Sequence, residues 1–174
     1  MRFSLGAMSL IVRAAQSEHL EPVARIYQHY VLTSTATFET VPPSRAAWEA
    51  KVAGIASAGW PFLVAELDGD VVGFGYASAW RARPAYAHTV EETIYLDGAA
   101  TGRGVGTTLL AAVLDAAQQA GARQAIAVVS DRGAEGSLAL HRKLGFVQAG
   151  HLQDVGEKFG LTLGTYLLQK SLTA

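Results

Sequence analysis

Three groups of residues have types and spacings that could do chemistry. Gly102, Gly104 and Gly106 alternate within GRGVGTT, directly ahead of an apolar stretch with helical spacing. A helix N-terminus offers unpaired backbone N–H groups and a partial positive charge, and glycines let an anion come close to that backbone. The run, Gly102 to Thr107 with Arg103 and Val105 between the glycines, is therefore a candidate pyrophosphate cradle, and equally a tight strand-to-helix turn without a ligand. A P-loop is excluded because no Lys precedes the threonines after Gly106. A dinucleotide fingerprint is excluded because Thr107 stands where its third glycine would fall.

The second group is Glu91 and Glu92, adjacent in TVEETIYL just before the glycine turn. Neighbours on a strand point to opposite faces, so one of the two carboxylates is expected to face a site beside the turn. A carboxylate there could take a proton from an amine. The alternative for either residue is a solvated strand carboxylate. The third is His141, in SLALHRKLGF. A histidine on an apolar helix is often structural, but it can also hold or move a proton. The other histidines show no ligand spacing, so no metal is predicted.

The elements that must position these groups can be read from periodicity. Leu10–Arg13 reads as a strand and 18–31 as a helix with Leu20, Val23, Ile26, Tyr27 and Tyr30 on one face. Pro42 and Pro43 interrupt regular structure, and Ser44 is a credible N-cap for a helix from Arg45 to about Ala56. Strands at 62–67 and 71–79 flank the turn residues Asp68, Gly69 and Asp70. A strand over 89–96 leads through the glycines into a helix from Val105 to about Ala120. A strand over 124–129, a helix over 137–144 stopped by Gly145, and two strands within 146–168 complete the order βααβββαβαββ. The economical fold is mixed α/β (α+β), a mostly antiparallel sheet flanked by helices.

The 174 residues suit a single domain over 1–174, with residues 1–8 read as a ragged start ahead of Met8. Half of the chain is hydrophobic and 17% is charged, a globular balance. Fourteen basic against fifteen acidic side chains give a net charge of −1, which argues against nucleic acid and anionic membrane surfaces as partners. With no cysteine, disulfides, thiolate metal sites and a cysteine nucleophile are excluded, in keeping with a reducing cytoplasm. MRFSLGAMSL is too short an apolar run for a signal peptide, and no stretch suits a membrane span.

Taken in order, TSTATFET (33–40), Trp80, Arg81, Arg83 and Tyr86, TVEETIYL (89–96), the glycine turn, SLALHRKLGF (137–146) and VGEKFG (155–160) resemble the GNAT acyltransferase superfamily. The similarity is to its phosphinothricin and methionine sulfoximine acetyltransferase branch and covers nearly the whole chain from Leu10. Thr101 stands where the superfamily's glycine motif usually has Arg or Gln.

The resemblance implies the GNAT fold, acetyl-CoA as co-substrate, and direct transfer of acetyl to the primary amine of a small amino-acid-like acceptor in a ternary complex. It implies Glu91 as base, directly or through a water, and His141 beside the departing thiol, where many relatives carry a tyrosine. Cofactor contacts are implied at Ile94, Tyr95 and Leu96, at Gly102, Arg103, Gly104, Val105, Gly106 and Thr107, and at Ala134 and Ser137. Ala134 replaces a cofactor-contacting Asn of relatives. The acceptor side is implied at Phe38, Arg81, Arg83, Tyr86, Glu91, Glu92 and Thr93, the arginines suiting an acidic group. Phe38 reads equally as core, and the arginines as a solvated loop. Thr162 and Gly164 stand where relatives often have a Trp and an acid, so the acceptor is expected to differ. A homodimer is implied by resemblance alone. The alternatives are another amine class (a protein N-terminus, a polyamine or an aminoglycoside) and a non-catalytic acyl-CoA sensor.

Overall fold

The structure, a computed structural model, describes residues 2–5 and 8–173. The expected ragged start over 1–8 falls in part on residues 1, 6 and 7, outside the described residues. One eight-stranded sheet runs in the order β1-β2-β3-β4-β5-β6-β8-β7. Its strands are β1 (Arg2–Leu5), β2 (Met8–Ala14), β3 (Phe62–Leu67), β4 (Asp70–Ala79), β5 (Thr89–Leu96), β6 (Gln124–Ser130), β7 (Val147–Lys158) and β8 (Leu161–Ser171). The helices are α1 (Leu20–Thr33), α2 (Arg45–Ser57), α3 (Val105–Gln119) and α4 (Glu135–Lys143). The expected mixed, mostly antiparallel sheet is what the chain forms. From β2 onward the expected element order holds, and β1 adds an edge strand that the sequence reading lacked.

Alternation along the central strands sends side chains to two cores. Val64 and Phe74 face α1 and α2, where Val23, Ile26, Trp48 and Phe62 pack with them. Ala65 and Leu67 face α3, meeting Val105, Leu109 and Val113. Leu110, Leu114 and Ala117 extend α3 over β6 and β8, with Leu138 and Leu140 of α4 beside them. Leu109 and Leu110 are fully buried, and truncating either to Ala should cost roughly 2–5 kcal/mol. Ser44 caps α2, its Oγ accepting from the Ala47 N–H at 3.2 Å.

One feature of the sheet makes room for a site. β5 and β6 are the parallel pair, with α3 as their crossover. Their register covers Thr89, Val90 and Glu91 against Gln124, Ala125 and Ile126 and stops there. Beyond that point β5 keeps β4 as its partner and β6 keeps β8. The edge of β5 from Glu92 to Leu96 that faces β6 is left without a strand, and the sheet opens.

Candidate functional site

The opening holds a cavity of about 1050 Å³ lined by both strands, the glycine turn, α4 and the 34–39 segment. Alternation on β5 sorts its walls. Val90, Ile94 and Leu96 pack into the α3-side cores and Tyr95 into the α1-side core. Glu92 therefore belongs to the α3 and α4 face, and Glu91 and Thr93 to the α1 and α2 face.

On the α3 side, Gly102 and Gly104 have φ of +72° and +83°, the left-handed region in which glycine avoids the Cβ penalty. Gly104 is the N-cap of α3, so the first N–H groups of the helix open beside the turn. At Gly106 a Cβ would stand 3.0 Å from Leu96 Cδ1 and 3.4 Å from Leu140 Cδ2, so a side chain here would crowd the floor. Gly102, Gly104, Gly106, Thr107 and Thr101 line the cavity. Val105 is fully buried in the core, and any contribution from it is through its backbone. Arg103 instead lines a separate depression with Arg13, Glu66 and Asp97.

Across from the turn, Glu92 Oε1 and His141 Nε2 lie 2.6 Å apart, each side chain 2% exposed. His141 Nδ1 lies 2.7 Å from the Ser137 carbonyl, which can only accept, so Nδ1 carries a proton. Ser137 Oγ is 3.3 Å from the same nitrogen. Burial opposes charge on the imidazole, yet the Glu92 hydrogen bond and charge outweigh it and hold the His141 pKa above its ordinary value. The second oxygen of Glu92, Oε2, is buried without a hydrogen-bond partner.

The expectation that only one of the two glutamates faces the site needs correction. Both line the cavity, because the gap between β5 and β6 opens to both faces of the sheet. Glu91 is half-buried, and burial first, then the charge of Glu92, pushes its carboxyl above the ordinary value while Arg81 pulls it back.

The α1 side is aromatic. Tyr27, Tyr76 and Tyr95 line the cavity with Phe38. Tyr27 and Thr37 share a hydrogen bond of 2.7 Å, and Tyr95 donates to the Ala36 carbonyl at 3.3 Å. Phe38 rests on Gly156, where a Cβ would lie 2.3 Å from its ring. Lys158 is 4% exposed and donates to the carbonyls of Ser34 and Thr37 at 2.8 Å each, binding this segment to β7.

Arg83 and Tyr86, placed on the acceptor side by sequence, are exposed and do not line the cavity, because their loop runs outside the β4–β5 end. Arg81 stacks over Trp80 at 4.9 Å and reaches the cavity only through its charge on Glu91. Ile94, Tyr95, Leu96, Ala134 and Ser137 do line it. Gly164 cannot take a side chain without a shift, since its Cβ would meet Asp131 Oδ2 at 2.4 Å and the Leu152 carbonyl at 2.5 Å. Among the described residues no group of three or more His, Cys, Asp or Glu could hold a metal ion, and no helix is long and apolar enough to cross a membrane.

A profile of the Acetyltransferase (GNAT) family matches residues 23–146, and the chain belongs to that family. It is 43% identical over 170 residues to a phosphinothricin N-acetyltransferase of Alcaligenes faecalis, covering 98% of this chain and 86% of that one. It is 32% identical over 166 residues to an L-methionine sulfoximine/L-methionine sulfone acetyltransferase of Pseudomonas paraeruginosa, covering 95% and 96%. The fold superposes with a TM-score of 0.88 on a GNAT superfamily phosphinothricin acetyltransferase of Sinorhizobium meliloti in complex with acetyl-CoA, at 39% identity, covering 93% of this chain and 88% of that one.

Proposed function

We propose that this GNAT-family chain transfers acetyl from acetyl-CoA to the primary amine of a small amino-acid-like acceptor of the phosphinothricin or methionine sulfoximine type. One observation carries the reading. The sheet parts after Glu91, leaving a gap with an anion-binding helix start on one face and a half-buried carboxylate among aromatic rings on the other.

Such a gap suits two substrates that meet from opposite faces. The glycine turn and the first N–H groups of α3 would hold the cofactor pyrophosphate. The open edge of Glu92–Leu96, on which the Leu96 carbonyl accepts from the Tyr30 hydroxyl at 2.7 Å, would take the pantetheine arm as an added strand, with N–H groups available to the thioester oxygen. The acceptor would enter on the Tyr27, Phe38 and Tyr76 side, with Arg81 at its margin.

In the transfer the nitrogen loses two protons and the sulfur gains one. Glu91 takes a proton from the ammonium, directly or through a water, so that the neutral amine attacks the thioester carbon. Attack places negative charge on the carbonyl oxygen, the attacking nitrogen gives up its second proton to solvent, and as the oxygen's charge collapses the carbon–sulfur electron pair leaves with the sulfur as thiolate. The protonated imidazole of the Glu92–His141 ion pair, near the departing sulfur, would favour that step.

We also place the enzyme in the cytoplasm and as a homodimer. The cysteine-free composition supports the first. Exposed Leu152, Val155, Phe159 and Leu161 along the β7–β8 hairpin support the second. The deciding experiment is thiol release from acetyl-CoA against a panel of amino acids including phosphinothricin, methionine sulfoximine and methionine sulfone. Turnover on these is expected, and tight CoA binding without turnover on any amine would refute the reading.

A further inference from the structure

His141 borders the cavity, yet in the conformation observed it offers a substrate almost no surface. Its side chain is 2% exposed, and both ring nitrogens are engaged, Nε2 with Glu92 and Nδ1 with the Ser137 carbonyl. Glu92 also borders the cavity with almost no surface of its own. Its side chain is also 2% exposed, and the surface of Oε2 is under 1 Å². With both ring nitrogens engaged and so little surface on either side chain, a proton on this pair is best delivered into the cavity through a third group.

Ser137 is that group by position. It sits one helical turn before His141 on α4, so the two side chains share a face. Its Oγ lies 3.3 Å from Nδ1, and the residue is partly exposed and lines the cavity. Because Nδ1 carries a proton, Oγ is the acceptor in that contact and its own O–H is free to point elsewhere. This polarity is the reverse of a serine nucleophile, which would have to donate to an unprotonated nitrogen.

We propose that the Ser137 hydroxyl is the relay that carries the His141 proton to the departing CoA sulfur. The step rests on the acetyl-transfer reading above. As the carbon–sulfur bond breaks, its electron pair goes to sulfur. The Ser137 O–H proton passes to the sulfur, and Oγ takes the Nδ1 proton. Imidazolium becomes neutral imidazole, with its Nε2–H still donated to the Glu92 carboxylate. Solvent returns one proton to His141 after the products leave. Glu92 is thus a positioning residue that fixes the ring so that Nδ1, not Nε2, is the labile end.

Single-turnover acetyl transfer by the full-length chain, followed in mixtures of light and heavy water, tests the relay. The wild type should show a bowed proton inventory, since two protons move together. Ser137→Ala should slow transfer about 10- to 100-fold, leave acetyl-CoA affinity within about threefold, and give a linear inventory. Ser137→Thr, which keeps a hydroxyl, should recover most of the rate. The relay is overturned if Ser137→Ala weakens acetyl-CoA binding while the rate and inventory stand unchanged, which would make Ser137 a cofactor contact only. It is equally overturned if the rate falls but the inventory keeps its curvature. A wild type inactive on every amine refutes the parent reading and this step with it, whereas an active wild type matched by Ser137→Ala refutes the relay alone.

Discussion

Glu92 on β5 and His141 on α4, 49 residues apart in sequence, meet through a 2.6 Å contact between Oε1 and Nε2 inside the protein. Neither group would be stable there alone. A buried ion has lost its water, and only its partner's charge and hydrogen bond offset that loss. The pair therefore ties α4 to the opened edge of the sheet as well as holding a proton beside the cavity.

Removing one partner should be costly. Glu92→Ala leaves an uncompensated imidazole in the interior, with an expected loss of about 3 kcal/mol in denaturant unfolding. The loss should depend on pH with a definite sign. The folded-state pKa of His141 is raised, so the bound proton stabilises the fold fully below the unfolded value near 6.5, and that contribution is lost as pH rises through the folded value. The wild-type unfolding midpoint should fall on the alkaline side of this window, and Glu92→Gln should flatten the fall. Identical pH profiles for the two proteins would contradict the pairing.

Glu91 makes the opposite prediction. Burial raises its carboxyl above 4.5, so the ionised form costs folding free energy at neutral pH while being the form a base requires. The acetylation rate should fall as pH drops through this raised value. Glu91→Gln should remove that acid limb and lower the rate about 100-fold or more. The same substitution should leave unfolding stability at neutral pH unchanged or increased, because the penalised charge is gone. A variant that lost rate and stability together would point to a structural glutamate.

Much of this site is legible in the sequence. β5 has the boundaries its β-branched pattern predicts, 89–96, and Ser44 caps α2 as its position suggests. Alternation correctly sent Glu91 and Glu92 to different faces. What alternation could not show is that the sheet parts there, so that both faces border one cavity. The Glu92–His141 contact was invisible for the same kind of reason. It is set by how α4 packs on the sheet, and no local pattern encodes a partner 49 residues away. That Arg83 and Tyr86 lie off the cavity was not legible either, because a loop's residue types do not disclose which way the loop runs. Lys158 was passed over, although a lysine followed by Phe159 in a turn-rich stretch was the available hint.

The glycine turn should govern cofactor affinity separately from acceptor affinity. Gly104→Ala places a Cβ at φ +83°, a left-handed conformation costing roughly 1–2 kcal/mol. Gly106→Val would crowd Leu96 and Leu140, and overpacking of this kind costs about 1–3 kcal/mol. Each should raise the acetyl-CoA KM several-fold with little change in the amine KM, measured by varying one substrate at saturation of the other. Equal effects on both KM values would indicate a general loss of structure.

Lys158 should govern the opposite wall. Its ammonium is buried and held by the carbonyls of Ser34 and Thr37, and burial lowers its pKa against the weaker pull of Glu39. Those two carbonyls anchor the segment that carries Phe38, whose ring in turn rests on Gly156 two residues before the lysine. Lys158→Met keeps the aliphatic stem and removes both hydrogen bonds, leaving two carbonyls to find water. The segment should loosen, and with it the aromatic wall that receives the acceptor. The expected result is a rise of about fivefold or more in the amine KM, with the acetyl-CoA KM held within about twofold, since the glycine turn lies on the other face of the sheet. Amide hydrogen exchange over 34–40 should quicken in parallel. If exchange quickened while the amine KM stayed put, the acceptor would not be using this wall, and the assignment of the aromatic face to the amine substrate would fail.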